Sequence, residues 1–167
     1  MTKIYLSKFD WSLTPLWLAA SDIGLVKIEF GRITPIKDFR GSFSELDIIE
    51  ADNTILQNIK QQLNAYFQGQ KIEFNIDIDF RTGTPFQHSV WNEIKKIGYG
   101  KTASYGHIAR GLGNPGAVRA VGAANGANPI PIVIPCHRIV QSDGKLGGYS
   151  GGLDIKDALL RLEGVVI

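Results

Sequence analysis

Hydrophobic positions along the first half of the chain recur mostly with a period of two. Ile4 and Leu6 alternate with polar residues. The apolar runs Leu16 to Ala20 and Leu25 to Phe30 flank Ser21-Asp22-Ile23-Gly24, which predicts a hairpin. Residues 31–44 show no clear period and are expected to form a loop. From about Asn53 the period lengthens: Leu56, Ile59, Leu63 and Phe67 make a helical stripe that Gly69 ends. Ile72, Phe74, Ile76, Ile78 and Phe80 then alternate without a break, predicting a half-buried strand over 71–80.

The second half is patterned for helices. Thr84-Pro85-Phe86-Gln87 combines an N-cap, a proline at the first helical position and a capping-box glutamine. Phe86, Val90, Ile94 and Ile97 form the stripe, with Gly98 as the stop. This change of period sets an expected boundary near 81–84, giving an N-terminal α/β lobe (1–82) and a second domain (83–167). Ser104 can cap a short helix from Tyr105 to about Leu112. Gly113-Asn114-Pro115 then breaks the chain, and a second helix is expected from about 115 with Asn114 as its cap, the spacing of a helix-turn-helix. In that second helix Ala117, Ala120 and Ala124 fall on one face with Arg119 beside it. A face so smooth serves either close helix packing or close approach to a shallow groove, since base-reading helices carry long polar side chains. A glycine-rich loop, Gln141 to Gly152, follows, and a last helix from about Asp154 to Glu163 turns Ile155, Leu159 and Leu162 inward.

Composition narrows the partners. At 167 residues and 44% hydrophobic content the chain can bury a real core. No stretch approaches the ~20 apolar residues needed to span a bilayer, and the N-terminus lacks a signal-peptide core, so a cytoplasmic protein is expected. The net charge of +2 is unevenly spread: −2 over residues 1–83 and +4 over 84–167. The second domain therefore leans towards an anionic partner.

Cys136, in Val133-Ile-Pro-Cys-His-Arg-Ile139, is the only cysteine. It can form neither an internal disulfide nor a multi-thiolate metal site. It is either a buried packing residue or a reactive thiol. His137 can take a proton and Arg138 adds a fixed positive charge, and both are expected to favour the thiolate. A histidine acting as base wants an acidic group to hold its tautomer. Glu163, Asp143 and Asp154 are the candidates, Glu163 slightly ahead. His88 and His107 read as ordinary surface histidines, and three histidines without suitable spacing make no metal site.

Ile134-Pro-Cys-His-Arg-Ile-Val140 resembles the active-site signature of the O6-alkylguanine-DNA alkyltransferases (methylated-DNA–protein-cysteine methyltransferases). The resemblance extends to Tyr105 after Gly-Lys-Thr-Ala-Ser, to Arg119-Ala-Val-Gly, to Asn128-Pro-Ile-Pro-Ile-Val-Ile-Pro, to Gly148-Tyr-Ser-Gly-Gly and to Leu160-Arg-Leu-Glu-Gly. It covers about 84–164 strongly; the first half is similar only in length and pattern. It implies an α+β protein: a ribonuclease-H-like N-terminal lobe with an antiparallel sheet, and a mainly helical, winged-helix-like second domain containing the helix-turn-helix.

The resemblance also implies roles. Cys136 would accept an alkyl group from O6 of guanine, and from O4 of thymine, in one irreversible, self-inactivating step. His137 would take the thiol proton through a water, held by Glu163. Tyr105 would hydrogen-bond the guanine and help neutralise the leaving base. Arg119 would fill the stack vacated by the flipped nucleotide, with Ala117 and Ala120 against the minor groove of double-stranded DNA. Asn128 would brace the turn before the cysteine, and Tyr149 and Ser150 would line the pocket. No cofactor and no metal is implied. The cysteine zinc site of some family members has no ligands here, and a second acceptor cysteine is lacking. A monomer that does not engage membranes is expected. Two other classes compete: a lesion-binding module without chemistry, and a cysteine hydrolase, for which no separate oxyanion-hole motif is seen.

Overall fold

The computed structural model describes residues 3–43 and 47–166. They fall into two compact units, Met1–Arg81 and Thr82–Ile167. In the first, β1 (Lys3–Asp10), β2 (Pro15–Ala20), β3 (Leu25–Phe30) and β4 (Asp47–Ile49) form a sheet in the order β3-β2-β1-β4. The pairs β1–β2 and β2–β3 are antiparallel, as the hairpin signal predicts, and Ser21 N–H closes the turn on Gly24 O at 3.0 Å. β4 runs parallel to β1. Ile4, Leu6, Ala19 and Val26 pack with Phe39 and Phe43 in one buried cluster. Helix α2 (Thr54–Phe67) is capped by Asn53, whose side chain accepts from Leu56 N–H, and it buries Leu56, Ile59, Leu63 and Tyr66.

Two expectations for this unit need correction. Residues 31–44 are not all loop: Ile36–Gly41 is a short helix, α1, burying Phe39. One turn and a half with a single buried side chain is too short to show a helical period. Residues 71–80 are extended and alternately half-buried, but they are not a strand of the sheet. They meet β3 at one point only, through Leu25 N–H to Asp77 O (2.8 Å) and Asp79 N–H to Leu25 O (2.9 Å). Asn75 instead bonds the Gln62 side chain on α2, as donor and as acceptor. The alternation reports one buried side, which a lone extended segment shares with a true strand. Gly24 is required at this contact, because a Cβ there would lie 2.6 Å from Asp77 O.

The second unit is helical, with α3 (Pro85–Ile94), α4 (Tyr105–Gly111), α5 (Val118–Gly126) and α6 (Leu153–Leu162). Short strands β5 (Ala103–Ser104) and β6 (Ile139–Val140) pair in parallel. The capping box at Thr84 and Gln87 forms, and Ser104 caps α4 by accepting from His107 N–H. α3 ends at Ile94 rather than at Gly98, and Ile97 is buried in the turn that follows. α5 starts at Val118, not at 115. Asn114 does not cap it; its carbonyl accepts Ala117 N–H at 3.0 Å, so Pro115 and Gly116 lie in the connecting turn. Glycine there gains more freedom in a turn than in a helix. Ala120 and Ala124 keep their four-residue spacing on α5 but differ in exposure, Ala120 exposed and Ala124 buried, and Ala117 precedes the helix, so the three do not form one smooth exposed face. The exposed residues of α5 are Val118, Arg119, Ala120, Ala123 and Gly126. Among the described residues no helix is long and apolar enough to cross a membrane.

Trp91 ties α3 to α5. It is 1% exposed and its indole N–H donates to Ala124 O at 2.8 Å. Trp91→Phe is expected to lower unfolding free energy by about 1–3 kcal/mol, from the lost bond and the lost volume. The range is modest because Ala127 N–H also reaches that carbonyl, at 3.2 Å. Urea denaturation followed by circular dichroism measures it.

Candidate active site

The chain reaches Cys136 through a braced turn. Asn128 donates its side-chain amide to Ile134 O (2.8 Å) and accepts from Ile130 N–H (2.9 Å), while Ile134 N–H donates to Ile130 O. Between these bonds Ile132 has φ of 76°, a left-handed conformation that a β-branched residue adopts only when its surroundings enforce it. Pro135 then leads into a single 3-10 turn, Cys136–Arg138, closed by Arg138 N–H on Pro135 O at 2.9 Å. Cys136, His137 and Arg138 are all buried.

His137 and Glu163 meet inside the unit, Nε2 to Oε2 at 2.6 Å, with neither side chain exposed. A carboxylate accepts, so Nε2 carries the proton and Nδ1 is left as the acceptor. Nδ1 is buried and has no hydrogen-bond partner among the described residues. Glu163 is held on its other sides too. Arg138 donates Nε to Oε1 (2.8 Å) and Nη2 to Oε2 (3.2 Å), Gly100 N–H donates to Oε1 (3.0 Å), and Arg138 Nη1 reaches Ile97 O at 2.6 Å.

The electrostatics overturn one expectation. Burial pushes the Cys136 thiol up, against weaker opposing effects of Asn128, Tyr149 and Lys156. The resting residue is a thiol, not the thiolate its basic neighbours suggested. Burial pushes His137 down despite Glu163, and the Arg138 and Lys156 charges push the same way. Arg138 faces Glu163 rather than the sulfur, so its charge makes His137 less basic instead of activating the thiol. The arrangement keeps a neutral thiol and a neutral imidazole until something draws the proton across.

On the other side of the sulfur stands the glycine-rich loop. The Tyr149 hydroxyl lies 3.8 Å from Cys136 Sγ, and Ser150 Oγ donates to Gly126 O at 3.2 Å. Tyr105, the first residue of α4, lies between α5 and this loop: a Cβ on Gly122 would lie 3.9 Å from its ring, and one on Gly147 3.5 Å from its hydroxyl. Burial holds its phenol above the usual range, so it keeps its proton and can donate a hydrogen bond.

Two family models cover the chain. One is described as 6-O-methylguanine DNA methyltransferase, ribonuclease-like domain, and matches residues 4–80; the other is the DNA binding domain of the same protein and matches 85–165. The methylated-DNA–protein-cysteine methyltransferase of Methanosarcina acetivorans is 42% identical over 161 residues, which is 96% of this chain and 99% of that one. The chain belongs to the methylated-DNA–protein-cysteine methyltransferase family. The crystal structure of Mycobacterium tuberculosis O6-methylguanine methyltransferase superposes with a TM-score of 0.82 at 42% identity, covering 96% of this chain and 92% of that one. A Mycobacterium tuberculosis structure in complex with DNA gives 0.83 at 42% identity, with 95% and 92% covered. Family membership carries the α+β fold with its ribonuclease-like first lobe.

Within this methyltransferase the structure brings together Cys136, His137, Glu163 and Tyr149, with Tyr105 beside them and Asn128 beneath. Arg119, Ala120 and Ser150 are exposed, and Ala117 is half-buried. Asp143 is excluded as the orienter, since it accepts Lys145 N–H in an exposed turn. Two participants escaped the sequence reading. Arg138 was seen only as a charge beside the thiol. Lys156 was not singled out, although it sits among Ile155, Leu159 and Leu160 on the buried face of α6, where a lysine is out of pattern.

Proposed function

We propose that this protein repairs DNA by moving an alkyl group from O6 of guanine, and from O4 of thymine, onto its own Cys136. The observation that carries the reading is the buried Cys136 thiol in one turn with a His137–Glu163 pair whose free nitrogen is an acceptor. The thiol proton passes through a water to His137 Nδ1. The sulfur lone pair attacks the alkyl carbon, the S–C bond forms and the C–O6 bond breaks. The electron pair leaves on guanine, which the Tyr105 hydroxyl neutralises by donating a hydrogen bond and then its proton. Glu163 stabilises the imidazolium that forms. A thioether is a poor leaving group and there is no second cysteine to resolve it, so each molecule reacts once.

The rest of the second unit serves delivery. An O6-alkyl group inside a duplex is reached only by extruding the nucleotide. Arg119 takes the vacated place, and the short side chains of Ala117 and Ala120 let α5 lie close in the minor groove. Asn128 holds the turn, and Tyr149 and Ser150 line the pocket. The protein acts as a cytoplasmic monomer on double-stranded DNA without metal or cofactor, its domains dividing near residue 82.

Mass spectrometry after incubation with duplex containing O6-methylguanine tests this. One methyl adduct on the Cys136 peptide, absent in Cys136→Ser, is the expected result. Tight binding without an adduct would indicate a lesion-flagging module, and repeated turnover would exclude the self-inactivating reaction.

A further inference from the structure

Lys156 is the one charged side chain in the second unit that is wholly buried and that the proposed reaction does not use; its exposure is 0%. Its ammonium donates to Ile139 O at 2.6 Å, to Leu146 O at 2.5 Å and to Gly148 O at 3.2 Å. An ammonium has three N–H donors, and here each has a backbone carbonyl. None is left over for a substrate, and no carboxylate is among its partners. A buried cation without a counter-ion is costly, so its partners show what the cost is spent on.

Ile139 directly follows the turn that presents Cys136, whereas Leu146 and Gly148 belong to the glycine-rich loop. That loop has little to hold it. Gly144 and Gly147 have φ of 86° and 72°, and residues 141–149 are exposed or half-exposed. Its backbone bonds close its tip, through Gln141 N–H to Lys145 O and Gly144 N–H to Gln141 O, or its end, through Gly152 N–H to Tyr149 O. The Lys156 bonds join Leu146 and Gly148 of its middle to the strand after the cysteine. Tyr149 is the next residue, with its ring 6.0 Å from the ammonium and its hydroxyl on the sulfur.

We propose that Lys156 is a positioning residue that clamps Leu146 and Gly148 to the strand after Cys136 and so fixes Tyr149 and Ser150 over the sulfur. The rate readout rests on the function proposed above; the loop readout does not. Lys156 acts through the loop and is neither base nor proton donor in the transfer, because its protons are committed to carbonyls. The groups that face it are Cys136 and His137 from the turn and Tyr149 from the loop. Burial lowers its pKa to about 8, so the clamp is charged at neutral pH.

The test combines hydrogen exchange with single-turnover kinetics on the full chain. In Lys156→Met, amides of 141–152 should exchange about tenfold faster or more while those of α3 stay unchanged. Transfer from O6-methylguanine duplex should slow about 10²-fold, the cost of displacing a reacting group by about an ångström. Duplex affinity, measured in a Cys136→Ser background, should hold within about threefold, since Lys156 is wholly buried and out of reach of a phosphate. Transfer lost with loop exchange unchanged would make Lys156 a direct participant and overturn the clamp, as would unchanged transfer. Should Lys156→Met fail to fold, the otherwise native Cys136→Ser chain provides the second measurement. Its loop exchange, corrected for intrinsic rates, should rise as pH climbs through the Lys156 pKa, about 8 with Cys136 in place and lower once that sulfur is replaced, while α3 does not respond; a flat response overturns the proposal. An unmodified wild-type Cys136 after exposure to methylated DNA would refute the function and leave the loop result standing.

Discussion

Glu163→Gln is expected to slow alkyl transfer by about 10²–10⁴-fold while leaving DNA affinity unchanged. The carboxylate accepts from His137 Nε2, from Arg138 twice and from Gly100 N–H. A glutamine offers one oxygen and one NH₂. Turned one way it presents a donor to His137 Nε2–H, which drives the proton to Nδ1 and abolishes the acceptor. Turned the other way it presents that donor to Arg138. Stability separates the two functions of the carboxylate. Glu163→Ala leaves Arg138 buried without its counter-charge and should cost about 3–5 kcal/mol, whereas removing both, with Arg138→Met, should return much of that. The double variant should recover its urea midpoint and stay slow. If it recovered the rate as well, Glu163 would be structural only. Because burial and the Arg138 and Lys156 charges hold His137 below its usual range, the imidazole remains an unprotonated acceptor as pH falls through 6.5. The acid limb of the wild-type transfer rate should therefore lie below that value.

What could be read in advance divides along physical lines. Local chemistry was partly legible: the caps at Thr84 and Ser104 both form, because a cap depends on residues within one turn, whereas the one expected at Asn114 does not, because α5 starts later. Cys136, His137 and Glu163 could be named because their side-chain types admit few roles, and the family resemblance supplied the pairing across 26 residues. Partnering was not legible. The alternation at 72–80 reports a buried side but not who satisfies the backbone, and Gln62 does much of that. Arg138 is next to Cys136 in sequence, yet the 3-10 turn sends it to Glu163 and reverses its electrostatic effect. The thiol's protonation followed burial, which no neighbour list reveals. Lys156 had a signal, a charge on an apolar helical face, but its three partners are backbone carbonyls, one on β6 and two on the glycine-rich loop, which carry no side-chain code.

Arg119→Ala should reduce transfer from a duplex about 10²-fold and change transfer from single-stranded O6-methylguanine DNA only a few-fold. The guanidinium is exposed on the second residue of α5 and has no ion-pair partner among the described residues. The other exposed residues of α5, Val118, Ala120, Ala123 and Gly126, carry short side chains, so the helix backbone can approach a groove and Arg119 is the only long side chain that projects from it. Extruding a paired base costs a few kcal/mol of stacking and pairing, and a side chain that fills the gap offsets part of it. Losing about 2–3 kcal/mol of that offset corresponds to about 10²-fold. A single strand needs no extrusion and should not register the loss. A phosphate contact predicts a different pattern: both substrates would weaken together, Arg119→Lys would restore both, and the dependence of log K on log salt would flatten by about one unit. The comparison of duplex with single strand therefore decides whether α5 holds DNA by charge alone or also holds the base out of it.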